Sequence, residues 1–428
     1  MKKNVFIIAY AYPPNNVAGA QRPYALAKYL DKSKYNVKVI TCENPDLPLG
    51  KNEDFNPQIE GVELIYIKSR LGSSTQKLRS DAKVKASFVT KIKSILYKLG
   101  QLLIFPDKGM FWFPNVKSYI DENKELIKQT DIIFSTSPGI TNHRIARLLK
   151  RKNPNANWIA DFRDFNYVNH WDKKNEIRSY FHKKLESSII HEASSVTYVT
   201  ETMLDLNKKH YPQFANKMFA IYNGFDVDHS KSVDLTKTVL KSKITFFYAG
   251  TFYNGIRSPF PLLQLLDKMI GEDLLKSDEF EIQIAGNIDL DTIERMKSYS
   301  AYGSIHFLGN LPRADVLNRM SESSFLWLIV GNISSHYQTV PIKLFEYIAA
   351  RRPIINFAPS QSESSRIIDA LKLGYNFDTS VFKVEDCYQQ FMDTISKAKL
   401  GNFVNPLPKE NLTSFSWANQ VKLIEKLF

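Results

Sequence analysis

Two spacings of apolar residues alternate along this chain. Short unbroken apolar runs read as strands: NVFIIAY (4–10), NVKVITC (36–42), VELIYI (62–67), DIIFST (131–136), NWIADF (157–162), SSVTYVT (194–200) and KMFAIYN (217–223). Between them, stretches such as AGAQRPYALAKYLDK (18–32) and GITNHRIARLLKRK (139–152) place apolar residues every three or four positions, which is helical spacing. Strands that are apolar throughout are covered on both faces, so the alternation predicts a parallel sheet between layers of helices. The polar run DVDHSKSVDLTKTVLKSK (226–243) interrupts it and reads as a linker. The alternation then restarts. Strands are expected at 243–250, 280–287, 304–310, 324–331 and 353–359, with helices at 259–270, 289–299, 313–322 and 341–350. A last amphipathic helix, SWANQVKLIEKLF, ends the chain. The reading is α/β, with two doubly wound Rossmann-like domains: residues 1–225, a linker at 226–243, residues 244–408, and a terminal helix within 409–428. Two such domains facing each other would make a cleft at the carboxyl ends of their strands.

Composition supports this division. A chain of 428 residues with 43% apolar and 24% charged residues has material for two cores. Cys42 and Cys387 lie too far apart to suggest a disulfide framework, which points to a reducing cytoplasm. The first apolar run follows two lysines as a leader would, but Tyr10, Tyr12 and Pro13–Pro14 close it without a small-residue cleavage site. No stretch approaches the ~20 apolar residues of a membrane span.

The net charge of +13 calls for an anionic partner. Nucleic acid is not the expected one, since no helix-turn-helix, RNA-recognition signature or zinc knuckle organises the charge. Much of the excess sits in 77–105, where Lys77, Arg79, Lys83, Lys85, Lys91, Lys93 and Lys98 face a single acid, Asp81. Apolar residues recur at helical spacing there, so the segment is either a core helix with a solvated basic face or a helix lying in a membrane interface. The aromatic cluster MFWFP (110–114) tips the expectation toward the membrane.

The chemistry is expected in the loops that follow strands. YAYPPNNVAGAQRP leads from the first strand into a helix, and Gly19 would let the backbone approach a phosphate or sugar. YAGTFYNGIRSPF repeats the arrangement in the second half, where Gly250 and Gly255 loosen the loop and Arg257 precedes a helix start. In TVPIKLFEYIAARRPII (339–355), Pro341 suits the first helical turn, Lys343 adds a charge there, and Glu346 one turn on can accept both hydrogen bonds of a ribose diol. WIADFRDF sets Asp161, Arg163 and Asp164 at a strand end, either as an ion-pair network or with one carboxylate orienting or deprotonating an acceptor hydroxyl. No G-x-G-x-x-G, P-loop or metal-ligand spacing occurs.

Taken in order, YPPNNVAGAQRPYALAKYL, STSPGITNHRIARLL, WIADFRDF, IYNGFD, YAGTFY, HFLGNLPRADVL and VPIKLFEYIAARRPII give a chain that resembles the glycosyltransferase family 4 enzymes of the GT-B fold. The resemblance is to the bacterial surface-polysaccharide subgroup with a K-L-x-E-Y signature, and it runs from Val5 to about Pro359. It implies that Glu346 holds the ribose diol and that the partner glutamate, which approaches the donor sugar, falls at Gln338. The diphosphate-gripping Arg and Lys of the family fall at Thr251 and Arg257, so one charge is missing and Lys343 is the candidate replacement. Gly19, Gly250, Asn310, Leu311 and Leu344 join the donor-binding set, while His143 is expected to line the cleft. The implied activity is retaining transfer from a nucleotide sugar, UDP- or GDP-linked and without metal, to a sugar hydroxyl. The acceptor implied is a glycan, polyprenyl-linked at the inner membrane face, in capsule, O-antigen or exopolysaccharide synthesis. A non-catalytic partner protein, made credible by Gln338 and Thr251, and a sugar-nucleotide epimerase of the same fold are the alternatives.

Overall fold

The computed structural model describes residues 1–15, 17–47, 56–71, 104–164, 176–226, 243–252, 255–401 and 413–428. It contains two compact units, Met1–Tyr222 with Gln420–Phe428, and Asn223–Asn419. Most of the expected linker (227–242) and most of the basic segment (77–103) lie outside the described residues.

The first unit is built on seven parallel strands: β1 (Lys3–Ala9), β2 (Tyr35–Cys42), β3 (Val62–Ile67), β4 (Ile132–Thr136), β5 (Asn157–Phe162), β6 (Ser195–Tyr198) and β7 (Met218–Ala220). Their spatial order is β3-β2-β1-β4-β5-β6-β7, so the winding reverses between β1 and β4. Side chains alternate across the sheet. Val5 and Ile7 join Leu26, Val39, Phe134 and Ile159 on one face, while Phe6 and Ile8 join Trp112, Ile133 and Trp158 on the other. Covering helices are α1 (Gln21–Tyr29), α2 (Phe113–Glu122), α3 (Ile140–Lys152), α4 (Glu176–Glu192) and α5 (Glu201–His210). Val421 and Ile424, near the end of the chain, pack in the layer of Val5 and Ile7, and Asn157 Nδ2 donates to Leu427 O at 2.6 Å. Within the aromatic cluster at 110–114, Trp112 is fully buried and its indole N–H bonds Ile67 O at 2.9 Å, Phe111 and Phe113 are half buried, and Pro114 occupies the first turn of α2. Trp112 therefore belongs to the core, with Phe113 packed partly against it.

The second unit has six parallel strands: β8 (Ile244–Ala249), β9 (Phe280–Ala285), β10 (Ile305–Gly309), β11 (Phe325–Ile329), β12 (Ile354–Ala358) and β13 (Gly374–Asp378). The order β10-β9-β8-β11-β12-β13 puts its reversal between β8 and β11. Its longer helices are α6 (Phe260–Gly271), α7 (Arg313–Glu322), α8 (Ile342–Ala350), α9 (Glu363–Ala370), α10 (Val384–Lys399) and the start of α11 (Trp417–Glu425). Strand β13 and helices α9 and α10 were not anticipated from the sequence, because GYNFD and the stretches around it lack a long apolar run. No described helix is long and apolar enough to cross a membrane.

Candidate active site

In open α/β sheets ligands bind beyond the carboxyl ends of the strands, where the winding reverses. In the second unit that place is formed by the loops after β8 and β11. The β8 loop is fixed by stacking of Phe252 on Tyr248, with ring centroids 4.7 Å apart, and by Tyr248 Oη donating to Thr251 O at 3.1 Å. Arg257 N then bonds Phe252 O at 2.9 Å, which folds the loop back before α6. Glycines let the neighbouring loops close on it. Gly250 N reaches Ala285 O at 2.8 Å, Gly286 N reaches Gly309 O at 2.7 Å, and a methyl group on Gly286 would stand 2.2 Å from Gly250 O. Gly286 also has φ +134°, so no L side chain suits it. On the β11 side, a methyl on Gly331 would fall 2.6 Å from Ile256 Cγ2, which brings that loop against the residue before Arg257.

Helix α8 delivers the remaining charges. Pro341 caps it without a side-chain hydrogen bond, leaving its N-terminal end positive. Tyr347 anchors it: its hydroxyl donates to Trp327 O at 3.1 Å and accepts from Ala249 N at 3.4 Å, pinning the helix to the ends of both β11 and β8. Leu344 is fully buried beneath. Lys343 has a partly exposed stem, but its Nζ is buried with no hydrogen-bond partner among the described residues and lies 3.9 Å from the centre of the Tyr248 ring, next to Gly250. Burial, reinforced by the Arg257 charge and opposed by Glu346, pushes its pKa well below the usual lysine value. Glu346, one turn on, pairs with Arg313 of α7 at 2.9 Å; its side chain is mostly covered and that of Arg313 half exposed. Gln338 is half buried at the end of a short helical turn (Ser334–Tyr337), Asn310 is exposed and Leu311 half buried between β10 and α7. This corner gathers Arg257, a lysine whose Nζ has no hydrogen-bond partner among the described residues, a positive helix end and a carboxylate. It is chemically suited to a diphosphate with a diol one helical turn away.

The first unit gathers a different set. Asp161 is fully buried and accepts from Arg22 Nε at 2.9 Å, Arg22 Nη2 at 2.8 Å, Thr136 Oγ1 at 2.6 Å and Thr197 Oγ1 at 2.7 Å. Burial pushes its pKa up, but the Arg22 charge and these bonds outweigh it and hold the carboxyl below its usual value. Arg22 also donates to Tyr222 O at 2.7 Å and Ile221 O at 3.0 Å, so the pair ties α1 to β5 and to the chain leaving β7. All lone pairs of Asp161 are engaged, which favours the ion-pair reading over a proton acceptor. His143 is fully buried in α3: Nδ1 shares a 2.8 Å bond with Ser135 Oγ, its ring lies 4.5 Å from that of Phe162, and burial holds its pKa down to about 3. It is neutral and lies inside the unit rather than on an open wall. Arg163 is 8% exposed; its backbone N–H bonds Ser137 Oγ at 2.7 Å and its Nε bonds Ser137 O. Asp164 beside it is exposed, and Gly19 lies within reach of the Arg163 guanidinium.

Sequence reasoning missed Arg22, Arg313 and Tyr347. The last stands in the K-L-x-E-Y run and could have been found as the buried tyrosine of an amphipathic helix. It also missed Asp107, whose carboxylate caps α3 by accepting from Thr141 N at 2.9 Å and also accepts from Gly109 N at 2.7 Å.

No protein-family model matches the chain, and no curated protein matches it in sequence. Solved structures do match. Sucrose-phosphate synthase from Thermosynechococcus elongatus aligns with a TM-score of 0.66 at 12% identity, over 100% of this chain and 98% of that one. WaaG, a glycosyltransferase involved in lipopolysaccharide biosynthesis, aligns with a TM-score of 0.55 at 12% identity, over 99% and 95%. A putative UDP-N-acetylglucosamine 2-epimerase from Listeria monocytogenes aligns with a TM-score of 0.55 at 12% identity, over 99% and 95%. The fold is GT-B. At these identities the likeness concerns the fold, and the chemistry rests on the residues of this chain.

Proposed function

We propose that this protein is a nucleotide-sugar-dependent glycosyltransferase. The observation that carries the reading is Lys343 Nζ, a buried lysine nitrogen with no hydrogen-bond partner among the described residues, set with Arg257 at the winding reversal of the second unit. A buried lysine without a counter-charge is costly to keep protonated, and an arriving diphosphate would supply that counter-charge. In this reading Arg257, Lys343 and the α8 N-terminus hold the donor diphosphate and offset the negative charge that builds on it as the sugar leaves. Glu346 exchanges Arg313 for the ribose diol. Gln338 meets the donor sugar with a neutral amide where the resembled enzymes have a carboxylate. Asn310, Leu311, Gly250 and Thr251 complete the donor site.

The finer assignments rest on the resemblance: a UDP- or GDP-linked donor, retention of configuration, no metal, and a sugar hydroxyl on a lipid-linked acceptor in surface-polysaccharide synthesis. Association with the inner membrane face also draws on the basic segment and on α4, which exposes Ile177, Tyr180 and Phe181 beside Phe105, where that segment ends. A titration of the full chain with UDP, GDP and their nucleosides tests the reading: the diphosphates bind and the nucleosides bind far more weakly. Epimerase chemistry on the same fold is the second reading, raised by the Listeria structure. It would convert a nucleotide sugar with no acceptor present, whereas a transferase without acceptor leaves the sugar's stereochemistry unchanged.

A further inference from the structure

We infer that the Arg163 guanidinium is the clamp of a second anion site, in the first unit, that takes the phosphate or diphosphate group of an ester other than the donor. The residue is more than nine-tenths buried, yet among the described residues neither of its terminal nitrogens has a hydrogen-bond partner; only Nε is engaged, by Ser137 O. Its backbone N–H on Ser137 Oγ and its Nε on Ser137 O hold the side chain against the loop after β4. From there it reaches the loop after β1. A methyl group on Gly19 would stand 3.1 Å from Arg163 Nη2 and 3.2 Å from Pro138 Cδ. The guanidinium therefore lies beyond the carboxyl ends of β1, β4 and β5, spanning the winding reversal between β1 and β4. That is where such a sheet binds its ligand.

Two of the three neighbouring charges are already answered; the third, exposed Asp164, helps keep the guanidinium charged. Asp161 is saturated by Arg22 and two threonines, and the positive end of α3 is capped by Asp107. Neither competes for Arg163. Burial depresses the Arg163 pKa to about 10, so the guanidinium stays charged at neutral pH while poorly hydrated. A planar fork with two free N–H edges suits the oxygens of a phosphate group. Assigning this group to the acceptor side rests on the proposed transferase function; the site itself does not.

The test is calorimetric titration of the full chain with inorganic pyrophosphate, geranyl diphosphate, UDP and GDP. Arg163→Gln should weaken geranyl diphosphate, and one of two pyrophosphate sites, by roughly tenfold to a hundredfold, the loss of charge-assisted bonds. UDP and GDP should be unaffected. Arg163→Lys keeps the positive charge but loses the planar fork, and should lose part of the same binding; it carries the test if Arg163→Gln does not fold. Unchanged pyrophosphate and geranyl diphosphate binding in the folded variants would overturn the inference. So would a loss confined to UDP and GDP, which would make Arg163 part of the donor site. Arg257→Gln separates the two claims: if it leaves UDP and GDP binding intact while Arg163→Gln still loses geranyl diphosphate, the donor assignment falls and this site stands.

Discussion

Replacing Lys343 with methionine asks what a buried lysine nitrogen without a hydrogen-bond partner is for. Methionine fills similar volume and needs no hydrogen bond, so Lys343→Met should raise stability at neutral pH by about 1–3 kcal/mol, the cost of an unsatisfied buried polar group. The same change should abolish tight diphosphate binding. The pH dependence follows from linkage. The folded pKa of Lys343 is depressed below 10.5, so between that folded value and 10.5 the unfolded chain carries the extra proton and wild-type stability rises with pH. The advantage of the variant should shrink over that window; denaturant melts at several pH values measure it. A variant less stable than wild type at pH 7 would show that the ammonium has a partner in the free protein. Glu346 makes a second residue-scale case. Its pair with half-exposed Arg313 contributes about 1 kcal/mol or less, so Glu346→Ala should keep the fold. Nucleoside affinity should fall roughly tenfold with the two bonds to the diol. Unchanged affinity would remove Glu346 from the ribose.

At the scale of elements, the loops beyond the second sheet stand or fall with their glycines. Gly286→Ala places a methyl 2.2 Å from Gly250 O at φ +134°, and should lower stability by about 1–3 kcal/mol and weaken diphosphate binding with it. A variant that melts like the wild type would mean the two loops do not meet. These elements also show what could be read beforehand. Strands β1, β2, β4 and β8 were legible because a strand covered on both faces must be apolar at every position, and α8 because Pro341, Lys343 and Glu346 mark its first turns. Arg22 was not: by pattern it is an ordinary residue of α1, and its partners Asp161, Ile221 and Tyr222 lie 139 to 200 positions away. Asp107 was hidden for the same reason, since it caps a helix 34 residues downstream. His143 misled because its position after a strand suggests an open wall, while its side chain turns inward to Ser135 and Phe162. Trp112 misled in the opposite sense, since an aromatic after a basic run looks like a membrane anchor and here fills the core.

For the whole molecule, the excess of +13 is expected to act at an anionic bilayer. Residues 83–103 lie outside the described part of the chain, so this prediction rests on their sequence and on exposed Ile177, Tyr180 and Phe181. Vesicles with anionic lipid should bind the protein better than neutral ones, each lysine adding about 1 kcal/mol, and salt should weaken the attraction. Reversing Lys85, Lys91 and Lys93 to Glu should cut transfer to a lipid-linked acceptor far more than to a short soluble one. Equal losses on both substrates would make the segment an ordinary domain helix. The donor site is the claim on which the proposed function depends. Calorimetry of UDP and GDP against uridine and guanosine, on the wild type and Arg257→Gln, tests it most directly. One diphosphate should bind, and Arg257→Gln should cost it about 1.5–3 kcal/mol while sparing the nucleoside. Equal binding of nucleoside and diphosphate, or equal losses in the variant, would contradict the account.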